Sequence, residues 1–118
     1  DILISCIKGN LNEMDIKWTN KQSLCVVLCS KGYPDDYTKN IKIDNLDKLK
    51  LDKDNYLFHA GTKIKDKEIF SVGGRVLNFI SLSNELVNAR ENIHENLSIL
   101  EWNKGFYRKD IAFRVIDK

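Results

Sequence analysis

Apolar residues recur at two different spacings along this chain, and each spacing predicts a different kind of element. At the start they recur every three or four residues, which predicts a helix over 1–14 that is interrupted or ended near Gly9. A continuous, valine-rich apolar run at 24–28 predicts a buried strand over 23–30. Residues 41–55 mix Ile, Leu, Asp and Lys, and they predict only a brief strand and a turn.

Two longer strands and a tight turn are predicted in the middle of the chain. Residues 56–63 predict one strand, and apolar positions alternate again over 74–82, which predicts another. Between them a hairpin is predicted with its tip at 65–67, where two lysines flank an aspartate.

One amphipathic helix of about four turns is predicted after Ser83, where the apolar spacing lengthens to three or four residues. Ser83 or Asn84 is the expected N-cap, and Glu85 would interact favourably with the helix dipole in the first turn. Gly105 ends this run, and residues 106–116 predict an aromatic and basic segment with a last short strand. The apolar stripe of the helix consists of Leu86, Ala89, Ile93 and Leu97.

The predicted helices and strands are segregated rather than alternating along the chain. This order predicts an α+β fold with a mostly antiparallel sheet, arranged as a small barrel or sandwich with one long amphipathic helix. The chain has 118 residues, which is enough for one hydrophobic core. We therefore predict a single compact unit preceded by a helix at the amino end.

Composition narrows the possible functions without choosing one. Hydrophobic residues make up 42% and charged residues 31%, as in an ordinary globular protein. A formal net charge of +2 gives no support for nucleic-acid or membrane partners. No apolar run approaches the roughly 20 residues that span a bilayer, and no signal peptide is visible. These features predict a cytoplasmic protein.

The sequence contains none of the residue patterns that mark catalytic or metal centres. The three cysteines, Cys6, Cys25 and Cys29, fit neither a CxxC nor a zinc spacing. We interpret Cys25 and Cys29 as small buried hydrophobic residues in a reducing compartment. No Ser-His-Asp, Cys-His, Walker or Rossmann pattern is recognisable. Neither catalytic residues nor metal ligands are therefore predicted in this chain.

The two histidines differ in what surrounds them. His94 lies beside the apolar stripe of the predicted helix, which indicates a surface or boundary position. His59 follows a strand and precedes Ala-Gly-Thr, so it is either a structural histidine or a residue that contacts a ligand.

Glycines concentrate around one arginine. Three of the six glycines, Gly61, Gly73 and Gly74, lie near the ends of the predicted hairpin, beside Arg75. Glycine within a strand usually marks a bulge or the close approach of another backbone or a ligand. Bare amide groups next to a guanidinium would bind an anion. The alternative is that the glycines serve a bulge and that Arg75 pairs with a carboxylate.

Four motifs, in this order and at these intervals, resemble one family. They are KGYP at 31–34, FHAGT at 58–62, GGRVLN at 73–78 and FYRKDIAFR at 106–114. Together they are similar to the C-terminal domain of glycinamide ribonucleotide synthetase, also called phosphoribosylamine–glycine ligase, which is an ATP-grasp enzyme. The resemblance covers nearly the whole chain. It implies that 1–20 are the end of the ATP-grasp region and that 21–118 form the C-terminal domain.

The resemblance also implies what the full enzyme does. The family joins 5-phosphoribosylamine to glycine with ATP, in de novo purine synthesis. ATP and Mg (or Mn) would be bound by the ATP-grasp part, which no segment of this chain resembles. Because the chain also begins without Met, we expect a piece of a longer ligase that is inactive alone. Its expected partners are the rest of the ligase chain and the substrates phosphoribosylamine and glycine, without nucleic acid or membrane.

The same resemblance suggests residues for the substrate site. Arg75 would contact the ribonucleotide phosphate, while Tyr107, Arg108 and Asp110 would tie the carboxyl-terminal tail to the body. Two alternatives are a stand-alone module that binds a phosphorylated ligand and a purely structural cap in which Arg75 pairs internally. The substrate hypothesis instead predicts an open Arg75 and an exposed apolar patch. The other expected pocket residues are His59, Gly61, Thr62, Gly73 and Gly74, with Lys31, Tyr33 and Pro34 at its rim.

Overall fold

The structure is a computed structural model that describes residues 1–116. Its helices are α1 (Ile2–Lys8), α2 (Leu86–Leu100) and α3 (Phe113–Ile116), and short 3-10 turns lie at Leu11–Glu13 and Leu46–Lys48. Its strands are β1 (Gln22–Ser30), β2 (Ile41–Lys42), β3 (Asn55–His59), β4 (Thr62–Lys65), β5 (Glu68–Ser71), β6 (Arg75–Ser83) and β7 (Gly105–Phe106).

Two antiparallel sheets make up the strand part of the domain. One has the order β3-β6-β1-β7 and the other the order β2-β5-β4. The predicted α+β class with antiparallel pairing is confirmed. The expectation of a barrel is wrong, because the edge strands β3 and β7 do not pair with each other in the described chain. Strand β7 contributes only two residues, which is too little to close the sheet.

The hydrophobic core lies between α2 and one face of the four-stranded sheet. Strand register places Val26 opposite Phe79 and Leu28 opposite Leu77, and all four side chains are buried. The stripe predicted for α2 packs on them, with Ala89, Ile93 and Leu97 buried and Leu86 partly buried. The apolar stripe that recurs every 3.6 residues along the helix thus packs on strand residues that face inward at every second position.

Helix α2 begins later than predicted. Glu85 is its N-cap, and the cap makes no side-chain hydrogen bond, whereas Ser83 or Asn84 was the expected cap. The reason is that Ser83 is still paired with Gln22 at the end of β6, so the backbone there is extended. Sheet pairing therefore decides where the helix can start.

Two further boundaries differ from the prediction because the chain changes direction within a predicted strand. The single strand expected over 56–63 is broken at Ala60 and Gly61, where the chain passes from one sheet to the other. The predicted last strand is limited to β7, and α3 forms after Ala112, whose φ is 68°. The hairpin tip is confirmed, since Asp66 and Lys67 both have positive φ, as in the turns that favour tight hairpins.

The prediction that the cysteines are buried is wrong. Cys25 is exposed and Cys29 is only partly buried, although both lie in the apolar run of β1. A continuous apolar run suggested burial on both faces of this strand. In the described chain α2 covers only the face that holds Leu24, Val26 and Leu28.

The amino-terminal helix makes few contacts with the rest of the described chain. Gly9 ends α1 in the left-handed conformation, with a φ of 73°, as predicted. None of its residues is buried, and Leu3 and Ile7 are strongly exposed. No helix among residues 1–116 combines the length and the apolar content that crossing a bilayer requires.

Candidate functional site

The candidate site is built around a close crossing of two backbone segments. A Cβ atom added to Gly61 would lie 2.6 Å from both the Gly73 Cα and the Arg75 carbonyl oxygen. The Gly61 amide donates to the Arg75 carbonyl oxygen at 2.9 Å, and the Gly73 amide donates to the Gly61 carbonyl oxygen at 3.1 Å. These two glycines are therefore needed so that one backbone can approach another.

These hydrogen bonds do not fit the predicted anion site in which free glycine amides bind the ligand. The amides of Gly61 and Gly73 are already used inside the domain, so neither is free to donate to a ligand. What the crossing supplies is a rigid backbone just before Arg75. The positive charge at this point comes from the arginine side chain, with the amides holding its base in place.

Gly74 brings a second loop to the site. A Cβ atom at Gly74 would lie 2.0 Å from the Tyr33 ring, so the ring packs directly on this glycine. The neighbouring Ser30 ties the same two segments together: its amide donates to the Gly74 carbonyl oxygen and its hydroxyl to the Gly73 carbonyl oxygen, both at 2.8 Å. Ser30 was not predicted as a site residue, and its small polar side chain at the end of β1 gave no signal.

Arg75 is exposed, and among residues 1–116 its guanidinium has no hydrogen-bond or ion-pair partner. It lies opposite Cys29 in the β1–β6 pairing, at an irregularity of the register. Burial raises the pKa of the Cys29 thiol, and the nearby positive charge of Arg75 acts in the opposite direction. An open, unpaired arginine on a rigid base is suited to bind an anion such as a phosphate.

His59 and Thr62 lie where the chain leaves β3 and enters β4. The His59 Nδ1 atom and the Thr62 hydroxyl are 3.0 Å apart, and His59 is exposed. This hydrogen bond bridges the Ala60–Gly61 break between the two sheets. The contact gives His59 a structural partner while leaving its ring open to solvent.

The loop at 31–34 borders an apolar groove. The Lys31 amide donates to the Lys104 carbonyl oxygen at 2.8 Å, and the side chain of Lys31 is exposed. Tyr33 and Pro34 line an open groove of about 350 Å³ on the side of β1 that faces away from α2. The rest of its lining is Cys25, Val27, Cys29, Phe106, Tyr107, Arg108 and Ile111.

The carboxyl-terminal segment is held to the body by contacts with α2. The Arg90 guanidinium donates to the Lys109 carbonyl oxygen at 2.7 Å, and the rings of His94 and Tyr107 lie 5.7 Å apart. Arg108 and Asp110 form an exposed ion pair with each other at 2.5 Å. Arg90 was missed as an anchor, because an arginine on the polar side of an amphipathic helix resembles any solvated charge.

The structure thus brings the predicted site residues together from three separate segments. Tyr33 contacts Gly74, Gly61 contacts Gly73 and Arg75, and His59 lies two residues before Gly61. Lys31 and Pro34 lie in the same loop as Tyr33. Within residues 1–116 no three His, Cys, Asp or Glu side chains converge.

Comparison with known proteins assigns the domain. Residues 23–114 match the family described as phosphoribosylglycinamide synthetase, C domain. The chain is 39% identical over 118 residues to the bifunctional purine biosynthetic protein purD of Dictyostelium discoideum, and 36% identical over 114 residues to phosphoribosylamine–glycine ligase of Brucella melitensis. It spans 14% of the first relative and 27% of the second, and these alignments cover 99% and 97% of the chain.

A solved structure supports the fold. The crystal structure of phosphoribosylamine–glycine ligase from Thermotoga maritima superposes with a TM-score of 0.70 and 24% sequence identity, over 92% of this chain and 27% of that one. This likeness supports the two-sheet fold of the described domain. The chain belongs to the phosphoribosylglycinamide synthetase C-domain family, which confirms the resemblance found in the sequence.

Proposed function

We propose that this chain is the C-terminal domain of a phosphoribosylamine–glycine ligase, acting in purine synthesis in the cytoplasm. The complete ligase would form the amide bond between glycine and phosphoribosylamine with ATP. The support is family membership over most of the chain and relatives that carry the name of this ligase. ATP and its magnesium would be held by the ATP-grasp part, as the family resemblance implies.

Within that ligase, Arg75 would contact the 5-phosphate of phosphoribosylamine. The observation that carries this proposal is the convergence of three segments, around Tyr33, Gly61 and Gly73, on an exposed arginine that has no partner in the described chain. A structural cap would instead be expected to pair Arg75 internally. The guanidinium would position the ribonucleotide rather than take part in bond making, since orientation by itself lowers the barrier.

The other predicted residues would either hold Arg75 in position or line the pocket around the phosphate. Gly61 and Gly73 would fix the backbone from which Arg75 extends, and Tyr33 would hold the rim loop against Gly74. His59, Thr62, Lys31 and Pro34 would line the wall or the rim. Their contribution would be to the shape of the pocket and the orientation of the substrate.

The test is the Arg75→Ala substitution in the full ligase that carries this segment. A charge-assisted hydrogen bond contributes about 1.5–3 kcal/mol, so the KM for phosphoribosylamine should rise about 10-fold to 150-fold. The KM values for ATP and glycine should stay within about twofold and serve as internal controls.

The matched control is Arg114→Ala, which removes an exposed arginine on α3. This variant should leave all three KM values unchanged. A calorimetric titration with glycinamide ribonucleotide, comparing the unsubstituted ligase with Arg75→Ala, measures the same contact without turnover. An unchanged KM for phosphoribosylamine together with unchanged product binding would exclude the phosphate role of Arg75.

A further inference from the structure

The four-stranded sheet has a second face, which α2 does not cover. Register pairs Tyr56 with Ile80 and Ile80 with Cys25 across three strands, and in the next row Asn78 lies between Phe58 and Val27. Since residues directly opposite each other in antiparallel strands share a face, these side chains form one surface. We call it the outer sheet face, and its apolar members are Cys25, Val27, Tyr56, Phe58, Ile80 and Phe106.

The two rows of the outer sheet face that hold Tyr56 and Phe58 carry no charged residue, and Asn78 is their one amide side chain. Antiparallel sheets with one wet face usually show polar residues there, yet Tyr56 is 40%, Phe58 55% and Phe106 41% exposed. The three-stranded sheet gives a contrast within the same chain, because Lys63 and Lys65 project from it into solvent. Depletion of charge around exposed aromatic residues is typical of the centre of a protein interface.

We propose that the outer sheet face is the surface on which the rest of the ligase polypeptide docks. This inference rests on the proposed function and adds which side of the domain the ATP-grasp part covers. The comparisons indicate what covers this face. In the Brucella ligase only 27% of the polypeptide corresponds to this chain, so the larger part of that enzyme is available to pack on the domain.

The position of Arg75 favours this occupant over a second copy of the chain. Arg75 lies opposite Cys29, in the row that also holds Phe106, so the candidate site borders the outer sheet face. An ATP-grasp part docked here would close a pocket around the guanidinium and exclude water from it. Docking on the α2 side would leave Arg75 on the wrong face of the sheet.

The groove of about 350 Å³ beside the outer sheet face fits the same interpretation. It runs between the β1 side chains Cys25 and Val27 and the tail residues Phe106 and Ile111. An apolar side chain from the docked part would fill it. Interface centres are commonly built from such an anchor inserted into a preformed pocket.

The test uses thiol labelling, because Cys25 is a natural reporter on the outer sheet face. In the full ligase, a maleimide should label Cys25 at least about tenfold more slowly than in the same protein unfolded in denaturant. Phe58→Cys adds a second reporter on this face, which should be protected to a similar degree. Ser98→Cys is the matched control on the exposed side of α2, and it should label rapidly.

Three outcomes would overturn the proposal. Rapid labelling of Cys25 and of Phe58→Cys in the folded ligase would show an open face. Protection of Ser98→Cys instead would place the docked part on α2. Protection that disappears when the ligase is diluted to a monomer, checked by sedimentation, would identify a second copy as the occupant. If the intact mass of the native protein shows no polypeptide longer than this chain, the proposed function itself fails, irrespective of labelling.

Discussion

At the scale of single residues, the glycines of the site are not equivalent, because different atoms surround them. A methyl group on Gly61 would collide with backbone atoms of Gly73 and Arg75, whereas one on Gly74 would collide with the Tyr33 ring. Backbone that is held in a hydrogen-bonded crossing cannot move aside, while a ring on an exposed loop has room to move.

We therefore expect both Gly→Ala substitutions to destabilise the domain, in a fixed order. Overpacking of this kind costs about 1–3 kcal/mol, so Gly74→Ala should fall in that range and Gly61→Ala should cost more. Equilibrium denaturation measures both.

Tyr33→Ala provides the internal control for that comparison. Combined with Gly74→Ala it should recover part of the lost stability, since the ring that the new methyl group meets is gone. Combined with Gly61→Ala it should recover none. Equal recovery in both double variants would show that the backbone crossing is not the tight contact described above.

At the scale of elements, α2 connects the sheet to the loop before β3 and to the carboxyl-terminal tail. The buried Asn96 accepts a hydrogen bond from the Lys50 amide at 2.7 Å and donates to the Asn92 carbonyl oxygen at 3.0 Å. On another side of the helix, His94 packs on Tyr107. The helix thus contacts two segments that lie far apart in the sequence.

The attachment of the tail should depend on pH through His94. Burial lowers the pKa of His94, and the positive charges of Arg90 on α2 and Lys109 in the tail lower it further. The unfolded chain has the ordinary value of about 6.5, so below pH 7 it binds more protons than the folded chain. Stability should therefore decrease as the pH falls from about 7 through 6.5 towards the lower folded value.

Denaturation midpoints at pH 7.5 and 5.5 measure this effect. His94→Gln should remove much of the loss, because its side chain does not titrate. The carboxyl groups of Asp52 and Asp110, whose pKa values are lowered from 3.8, titrate below this range and do not interfere. An undiminished pH dependence in His94→Gln would assign the effect to another group.

How far the sequence predicts these elements depends on whether the deciding interaction is local. The strands β1 and β6, the turn at 66–67 and the stripe of α2 follow from periodicity and were predicted. The start of α2 and the break at Ala60 were not, since both are set by pairing with distant strands. In the site, the clustered glycines predicted a close approach of two backbone segments. The hydrogen bonds that use the Gly61 and Gly73 amides could not be predicted, because they form only where the two segments cross.

At the scale of the whole molecule, the wrong prediction for the cysteines and the outer sheet face have one explanation. The apolar run of β1 has the composition of a strand buried on both faces, yet α2 covers only one of them. If the ATP-grasp part covers the other, Cys25 and Val27 are interior residues of the ligase and the sequence pattern is that of the complete enzyme. The prediction that the cysteines are buried would then be wrong for the separate domain and right for the complete ligase.

This explanation predicts that Phe58 stabilises the ligase much more than an exposed residue would. Phe58→Thr keeps a side chain that favours strands. On a solvated face it should change the free energy of unfolding by less than about 0.5 kcal/mol. Beneath a docked part it should cost about 1–3 kcal/mol, because the buried aromatic surface is lost.

Denaturant unfolding of the full ligase distinguishes a solvated face from a covered one, with Ile64→Thr on the three-stranded sheet as the matched strand control. Equal, small effects at Phe58 and Ile64 would mean that the outer sheet face stays in water and that the apolar run of β1 has another cause.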